Sequence, residues 1–289
     1  MNRPISAVIR TYNEAEYIGR LIQTLRAQTD YGKHLEIITV DSGSTDDTVD
    51  ILKNNDIDVL TISRAEFNYS KALNLGIEHS KGYLIVILSA HAIPCEEKWL
   101  AGMAETFEDQ TTAGAYCRQI PWPQADPIEV KRITKMFPED SMTFSNNTPL
   151  GNMNFSNAAS CIRRRIWEKH PFAILPAAED REWSKWAVRN GYKIVYDSKL
   201  RAYHSHTEPS RKTAQRIIEI ERSADVPKHP AKTSAMVTLK KSIGWFRRDM
   251  KTILCSNCSV PMTIKYSMQC LQRSFWYVVD FHRGKNAAK

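Results

Sequence analysis

Three clusters of polar side chains each follow directly after a run of apolar residues. They are Thr11-Tyr-Asn-Glu14, Asp41-Ser-Gly-Ser-Thr-Asp46 and Ser89-Ala-His91. Together they offer carboxylates, an aromatic ring and an imidazole, which can bind a polar ligand, accept a proton or coordinate a cation. An acidic pair, Glu179-Asp180, stands much later in the chain. A fold that brings these groups together would create one site.

Strand and helix patterns alternate over the first 90 residues and provide such a fold. The strands are predicted at 5–9, 35–40, 59–62 and 83–88, and the helices at 16–28, from 46 through Leu52, and at 70–79. This alternation predicts an α/β fold with a doubly wound, mostly parallel sheet. Ligands of such sheets bind at the carboxyl ends of the strands, which is where all three polar clusters fall.

The later part of the chain is less regular in pattern. Residues 118–160 hold several prolines and a polar run, and we interpret them as a long functional loop region. A helix is predicted over 180–190, ended by Gly191, and a strand over 193–196. The run Arg163-Arg-Arg165 is interpreted as a solvated basic patch, with a role near an anionic acceptor as the alternative.

The positive charge lies in the C-terminal part of the chain. The net charge is +8, but residues 207–289 carry +10 and residues 1–206 carry −2. This asymmetry predicts an anionic partner for the C-terminal part, either membrane lipid or nucleic acid.

The same region has two apolar stripes at helical spacing. The first is Leu239, Ile243, Phe246, Met250 and Ile253, interleaved with Lys240, Lys241, Arg247, Arg248 and Lys251; the second is Ile264, Met268, Leu271, Phe275 and Val278. A basic amphipathic helix of this kind can lie in a membrane interface. The alternative is that the stripe packs against the rest of the chain or against a second subunit of a homo-oligomer. With no signal-peptide core and no apolar run of about 18 residues, we expect a soluble or peripheral protein.

Ordered motifs along the chain resemble family 2 glycosyltransferases, which have the GT-A fold. They are Val8-Ile-Arg-Thr-Tyr-Asn-Glu14, Ile38-Thr-Val-Asp-Ser-Gly-Ser-Thr-Asp46, Lys71-Ala-Leu-Asn-Leu-Gly-Ile77, Glu179-Asp180, Gly191-Tyr-Lys-Ile194 and His204. Two further segments, Phe155-Ser-Asn-Ala-Ala-Ser160 and Tyr203-His-Ser-His206, are similar to the rhamnosyltransferase-like branch.

The resemblance implies a GT-A domain over residues 1–206 with a helical extension over 207–289. It implies inverting transfer of a sugar from a UDP- or dTDP-sugar to a lipid-linked or oligosaccharide acceptor, in the synthesis of a surface glycan such as a capsule. We expect such an enzyme on the cytoplasmic face of the cell membrane.

The resemblance also assigns roles to individual residues. Thr11, Tyr12, Glu14 and Asp41 match the donor-nucleotide pocket, where Tyr12 would stack on the base and Asp41 would accept its imide N–H. Asp180 matches the catalytic base, which deprotonates the acceptor hydroxyl, with Glu179 as its acidic neighbour. The alternatives are ordinary packing for Tyr12, a turn role for Asp41 and complementation of a helix dipole by the acidic pair.

The expected metal motif departs from the family pattern. Where the family has an Asp-x-Asp motif, this chain reads Leu88-Ser-Ala-His-Ala-Ile-Pro94, with His91 in the place of the metal-binding aspartate. His204 or His206 could supply a further ligand. Imidazole ligands favour Mn²⁺ over Mg²⁺. The alternative is a metal-free site in which His91 hydrogen-bonds the diphosphate and Arg64 or Lys71 neutralises its charge.

Two other functions are open at this point. The protein could bind a nucleotide sugar without turning it over, as the substitution at His91 suggests. It could also bind nucleic acid through its basic C-terminal region. Nucleic acid is the weaker alternative, because the charge accompanies an apolar stripe and no recognised nucleic-acid motif is present.

Overall fold

The computed structural model describes residues 4–32, 35–206, 210–222, 235–256 and 258–286. The chain divides into two compact units. The first comprises Met1–Trp122, Thr134–Leu175 and Glu179–His204, and the second Pro123–Ile133, Pro176–Ala178 and Ser205–Lys289. The predicted boundary after residue 206 is followed by residues 207–209, which lie outside the described residues.

The first unit is built on a nine-stranded sheet. Its strands, β1 to β9 in chain order, are Ile5–Thr11, Glu36–Asp41, Asp58–Thr61, Leu84–Ser89, Ile93–Pro94, Thr112–Ile120, Met142–Phe144, Ala159–Arg163 and Lys193–Tyr203. They are ordered β3-β2-β1-β4-β8-β6-β9-β5, and β7 pairs with β9.

Most of these strands run in the same direction. Strands β1 to β4 are mutually parallel, and β6 is parallel to β9. Strand β8 lies between β4 and β6 and is antiparallel to both, so β6 and β9 share the direction of β1 to β4. The predicted α/β class with a mostly parallel sheet is confirmed. The carboxyl ends of six strands, and the start of β8, therefore lie along one edge.

The described residues contain the helices α1 to α10. Their bounds are Ala15–Arg26, Thr48–Asn54, Tyr69–His79, Trp99–Glu105, Pro127–Met136, Arg164–Trp167, Glu179–Arg189, Ser210–Arg222, Ala235–Leu254 and Val260–Asn286. Helices α1 to α3 follow the predicted pattern, whereas α4 and α5 were not predicted. Helix α1 shows why the spacing is reliable. Its residues Ile18, Leu21, Ile22 and Leu25 are fully buried in the core, on the face that their i, i+3, i+4, i+7 spacing defines.

The prediction of a long loop over residues 118–160 was wrong for much of that segment. Strand β6 continues to Ile120, α5 and β7 occupy the middle, and β8 begins at Ala159. Pro127 begins α5 instead of breaking a helix, because the first helical position needs no backbone N–H. The strand predicted over 193–196 is also longer and reaches Tyr203.

The interpretation of residues 163–165 as a solvated patch was wrong for Arg163, which is fully buried. Its guanidinium donates to the carbonyl oxygens of Phe107, Asp109 and Thr112 at 2.9–3.0 Å, and to the hydroxyl of Tyr83 at 2.6 Å. A buried cation needs this many acceptors to offset its lost hydration. Arg163 is thus a structural residue that ties strand β8 to the turn before β6.

The second unit contains the C-terminal helices, and it corrects the prediction for the first apolar stripe. Helix α10 packs against both α8 and α9. Within the unit, Ile253 is fully buried with Tyr266 and Cys270, and Phe246 and Met250 pack against this cluster. Three of the five residues that were predicted to meet a membrane therefore pack on protein, and Leu239 and Ile243 are exposed.

A different face of α10 is exposed. Ile264, Met268, Leu271 and Phe275 recur at helical spacing and each is more than half exposed. Within the described helices, none combines the length and hydropathy needed to cross a bilayer.

Candidate active site

The loops that follow β1 and β2 hold each other in place. Asn13 has a left-handed backbone (φ 55°), and its side-chain oxygen accepts from the N–H of Thr45 at 2.7 Å. Its own N–H donates to Ser44 Oγ, and the N–H of Glu14 donates to Thr48 Oγ1, both at 2.8 Å. Two of the three predicted polar clusters are therefore brought together by their own hydrogen bonds.

Asp41 is buried at the end of β2 and shapes the second loop. Its carboxylate accepts from the N–H groups of Gly43 and Ser44, each at 2.9 Å. The loop turns at Gly43, whose φ of 86° suits a residue without Cβ. These bonds match the turn role that was kept as the alternative, and contact with a nucleotide base stays a prediction.

Tyr12 and Thr11 lie at the end of β1. Tyr12 is 36% exposed, and the guanidinium of Arg64 lies 4.3 Å from its ring centroid. Thr11 is buried, and its carbonyl oxygen accepts from the N–H of Ser42. One face of the Tyr12 ring is thus in contact with a cation, and a base would have to stack on the other face.

Two histidines that are distant in sequence stack on each other at the same edge of the sheet. The rings of His91, which follows β4, and His204, which follows β9, lie 5.0 Å apart at an interplanar angle of 10°. Their ligand nitrogens lie within 4.8 Å of each other. Nδ1 of His91 lies 2.8 Å from Glu14 Oε1, and Nδ1 of His204 lies 2.8 Å from Gln119 Oε1.

Aromatic side chains adjoin the histidine pair. Tyr17 makes an edge contact with His91, and its ring centroid lies 5.6 Å from that of Trp122. Trp122 in turn stacks on Tyr203 at 4.8 Å. Tyr17 therefore connects His91 to the stacked rings of Trp122 and Tyr203.

His206, the third predicted histidine, belongs to the second unit. It lies two residues beyond His204, and its N–H donates to Glu129 Oε1 at 3.2 Å. Its part in a metal site stays a prediction.

The acidic pair begins α7 and is held by Asn157, which precedes β8. The N–H of Asn157 donates to Asp180 Oδ2 at 3.2 Å, and its side-chain amide donates to Glu179 Oε1 at 3.4 Å. The other oxygen of Asp180 accepts from the N–H of Arg181 at 2.8 Å. Because β8 starts at the edge where β4 ends, these contacts bring Asp180 to the same edge as the histidine pair.

Burial and the negative charge of Glu179 raise the pKa of Asp180 to about 7. Arg10 partly balances the pair, since its Nη1 lies 3.6 Å from Glu179 Oε1. A carboxylate with a pKa near neutrality is suited to act as a general base, because it can both hold and release a proton at working pH.

Sequence reasoning did not predict three residues of the site, namely Arg10, Gln119 and Asn157. Asn157 lies in the quoted segment 155–160, so that motif was the available signal. Arg10 lies within the first motif, where its position before the polar cluster was not interpreted. Gln119 had no signal, because its contact with His204 depends on the pairing of β6 with β9.

Comparison with known proteins identifies the family. The model for Glycosyl transferase family 2 matches residues 6–170. The chain belongs to this family. It is 27% identical over 227 residues to the O-antigen chain rhamnosyltransferase RfbN of Salmonella typhimurium. The aligned residues cover 74% of this chain and 70% of RfbN.

Solved structures support the same assignment at the level of the fold. The mannosyltransferase PcManGT of Pyrobaculum calidifontis, in complex with GDP-Man and Mn²⁺, matches with a TM-score of 0.61 and 16% identity over 97% of this chain and 87% of that one. TarS 1–349 of S. aureus, in complex with UDP-GlcNAc, matches with a TM-score of 0.57 and 15% identity over 98% and 92%. The predicted GT-A fold and enzyme class are confirmed.

Proposed function

We propose that this glycosyltransferase moves a sugar from a UDP- or dTDP-sugar to a lipid-linked or oligosaccharide acceptor, with inversion, in the synthesis of a bacterial-type surface polysaccharide. One observation carries the proposal: Asp180, whose pKa is raised by burial and by Glu179, and a stacked histidine pair share the ligand-binding edge of a GT-A sheet. The similarity to RfbN, an O-antigen chain rhamnosyltransferase, supports the acceptor class.

In the proposed reaction Asp180 acts as the single base. Its carboxylate takes the proton of the acceptor hydroxyl while that oxygen bonds to the anomeric carbon. The bond from the anomeric carbon to the diphosphate oxygen breaks, and the nucleoside diphosphate leaves with the electron pair. Attack opposite the leaving group inverts the anomeric configuration. Asn157 holds Asp180 in place for this step, and the negative charge of Glu179 raises the pKa of Asp180.

The histidine pair fits a divalent cation, with His91 and His204 as ligands. Bound there, a cation would offset the negative charge of the departing diphosphate. A set of imidazole nitrogens favours Mn²⁺ over Mg²⁺, which prefers oxygen ligands. The PcManGT complex contains Mn²⁺ and a nucleotide sugar, which is consistent with this assignment. A metal-free site remains the alternative.

The nucleotide is proposed to bind along the ends of β1 and β2. There Tyr12 would stack on the base, and Thr11 and Asp41 would lie beneath it. Asp41 can accept a base N–H in addition to its three loop bonds, from the N–H groups of Gly43 and Ser44 and from the Ser44 hydroxyl, since a carboxylate has about four acceptor positions.

Release of nucleoside diphosphate from a panel of nucleotide sugars, with Mn²⁺ and with Mg²⁺, tests the proposed function. We expect a UDP- or dTDP-sugar to be turned over, with faster release in Mn²⁺. Binding without turnover of any donor, even when polyprenyl-linked glycan acceptors are supplied, would favour the inactive nucleotide-sugar-binding protein instead.

We further propose that the enzyme works at the cytoplasmic surface of the cell membrane. The exposed residues Ile264, Met268, Leu271 and Phe275 of α10 replace the first stripe as the apolar contact. The basic residues of the same unit would meet anionic headgroups, at about 1 kcal/mol each near the surface. A lipid-linked acceptor would be held at the same surface.

Vesicle co-sedimentation tests this membrane contact. Changing both Leu271 and Phe275 to Asp should lower binding to anionic vesicles at least tenfold, because two apolar side chains contribute roughly 1.5–3 kcal/mol each when buried. The matched control changes Gln269 and Gln272, which are also exposed on α10, to Asp. Equal binding by both variants, or loss of self-association with no change in vesicle binding, would assign the α10 face to a protein contact.

A further inference from the structure

We propose that Glu14 and Gln119 are positioning residues, which set the tautomers of His91 and His204 so that both rings direct Nε2 towards one divalent cation. The inference rests on the proposed metal site and deepens it. It moves Glu14, which the family resemblance assigned to the nucleotide, to a role in support of the cation.

The contact between Glu14 and His91 defines a tautomer. An ionised carboxylate can only accept hydrogen bonds, so Nδ1 of a neutral His91 must carry the hydrogen at the 2.8 Å contact with Oε1. Nε2 then carries the lone pair that a metal requires. Metal-binding histidines in proteins commonly have this arrangement, with a carboxylate on the nitrogen that does not bind the ion.

Hydrogen bonds hold the backbone of Glu14, and therefore its Cα, in place. Glu14 is the N-cap of α1, and its carbonyl oxygen accepts from the N–H groups of Tyr17 and Ile18. Its own N–H is bonded to Thr48 Oγ1. Glutamate is not among the preferred N-cap residues, and this side chain makes no capping hydrogen bond. The carboxylate therefore makes no hydrogen bond to the helix terminus and instead contacts His91.

Gln119 makes the corresponding contact with His204 from a neighbouring strand. It is buried at the end of β6, and its side-chain oxygen lies 2.8 Å from Nδ1 of His204. The backbone N–H of His204 donates to the carbonyl oxygen of Ile120 at 2.9 Å, which fixes the start of the side chain. With the amide oxygen as acceptor, His204 also carries its hydrogen on Nδ1.

The two histidines therefore have the same tautomer, with the hydrogen on Nδ1, and their rings lie in nearly parallel planes. Their rings stack at 5.0 Å and 10°, and their ligand nitrogens lie within 4.8 Å of one another. A ring nitrogen of each histidine thus lies close enough to that of the other for both residues to bind one cation. If either ring had the other tautomer, an N–H group would point at the cation, and affinity would fall.

Tautomers of the metal-free protein can be measured directly. Two-bond ¹⁵N–¹H correlation spectra of histidine-labelled protein show which ring nitrogen carries the hydrogen. We expect the Nδ1–H form for His91 in the wild type and loss of that form in Glu14→Ala. Glu16→Ala, on the same turn of α1 but exposed, should leave the spectrum unchanged. An Nε2–H form of His91 in the wild type would overturn the proposal.

Metal affinity provides the second readout, by calorimetric titration of the full chain with Mn²⁺. Glu14→Ala should weaken binding 10–100-fold, the usual effect of removing such a supporting residue. Glu14→Gln should recover part of the loss, because its amide oxygen can still accept from Nδ1, and Gln119→Ala should weaken binding similarly. Unchanged Mn²⁺ affinity in Glu14→Ala would refute the assignment.

A third measurement separates this role from a nucleotide contact. Uridine or thymidine diphosphate affinity, measured in excess chelator, should be the same for Glu14→Ala and the wild type. A large loss there would return Glu14 to the nucleotide pocket. A wild-type chain that binds Mn²⁺ in the Glu14-dependent way but turns over no donor would contradict the proposed function and leave this inference intact.

Discussion

Asp180→Asn is expected to lower the rate of sugar transfer by about 10³-fold while donor binding is retained. The amide keeps the shape of the carboxylate but cannot accept the acceptor's proton, and a positioned base contributes roughly 10²–10⁴-fold. The measurement is kcat for transfer together with the donor dissociation constant. The matched control is Glu182→Gln in the same helix, whose carboxylate pairs with His170 and should affect transfer little. Near wild-type transfer by Asp180→Asn would remove Asp180 from the role of base.

The pH dependence should follow the pKa of Asp180. Only the ionised carboxylate is a base, so kcat/KM should rise with pH and level off above about 7. Glu179 raises this pKa through its negative charge, so Glu179→Gln should move the rise to lower pH. A profile that is flat between pH 5 and 8 would contradict the assignment.

The same pKa has a consequence for stability. Its folded-state value lies above the unfolded value of 3.8, so the folded protein binds the proton more tightly and loses stability as pH rises from about 4 to about 7. Asp180→Asn removes this cost, which is on the order of 1.4 kcal/mol for each unit of pKa shift. Its Tm should accordingly exceed that of the wild type at pH 8 more than at pH 5.

Removing either stacked histidine is the second change with a large expected effect. His91→Ala and His204→Ala should each lower turnover by about 10²-fold or more, since a cation at the diphosphate contributes several kcal/mol. Mn²⁺ binding should weaken in parallel. His79→Ala is the control, because His79 is exposed on α3 and its ring contacts only the carbonyl of Leu75 among the contacts described.

The element of the ligand atoms, nitrogen or oxygen, should determine which metal the site prefers. His91→Asp replaces a nitrogen ligand with oxygen and should shift activity from Mn²⁺ towards Mg²⁺. Rates of the wild type and of His91→Asp in each ion measure this. Full wild-type activity in excess chelator would support the metal-free alternative, in which His91 bonds the diphosphate itself.

The sequence was sufficient to predict the first four strands, whose ends carry the three polar clusters of the site. Strands β1 to β4 are short apolar runs between helices, and their signal is local. Because parallel strands end at a common edge, the positions of His91 and Asp41 near that edge followed from the alternation alone. Glu179 and Asp180 are consecutive residues, so their proximity was also evident from the sequence.

What the sequence could not predict depends on contacts between distant segments. The sequence around Arg163 is compatible with a solvated side chain and with a buried one. Arg163 is buried because the carbonyl oxygens of Phe107, Asp109 and Thr112 accept its hydrogen bonds. Gln119 meets His204 because β6 pairs with β9. Ile253 lies in an amphipathic stripe whichever partner covers it, and the fold covers it with Tyr266 and Cys270.

The anomeric configuration of the transferred sugar tests the central claim most directly. The full chain is incubated with an active nucleotide-sugar donor, Mn²⁺ and a polyprenyl-linked glycan acceptor. The anomeric configuration of the new glycosidic bond in the product is then determined by NMR. Single displacement with Asp180 as base predicts a glycosidic bond whose configuration is opposite to that of the donor, formed about 10³-fold more slowly by Asp180→Asn. A product of retained configuration, or near wild-type transfer by Asp180→Asn, would contradict the account.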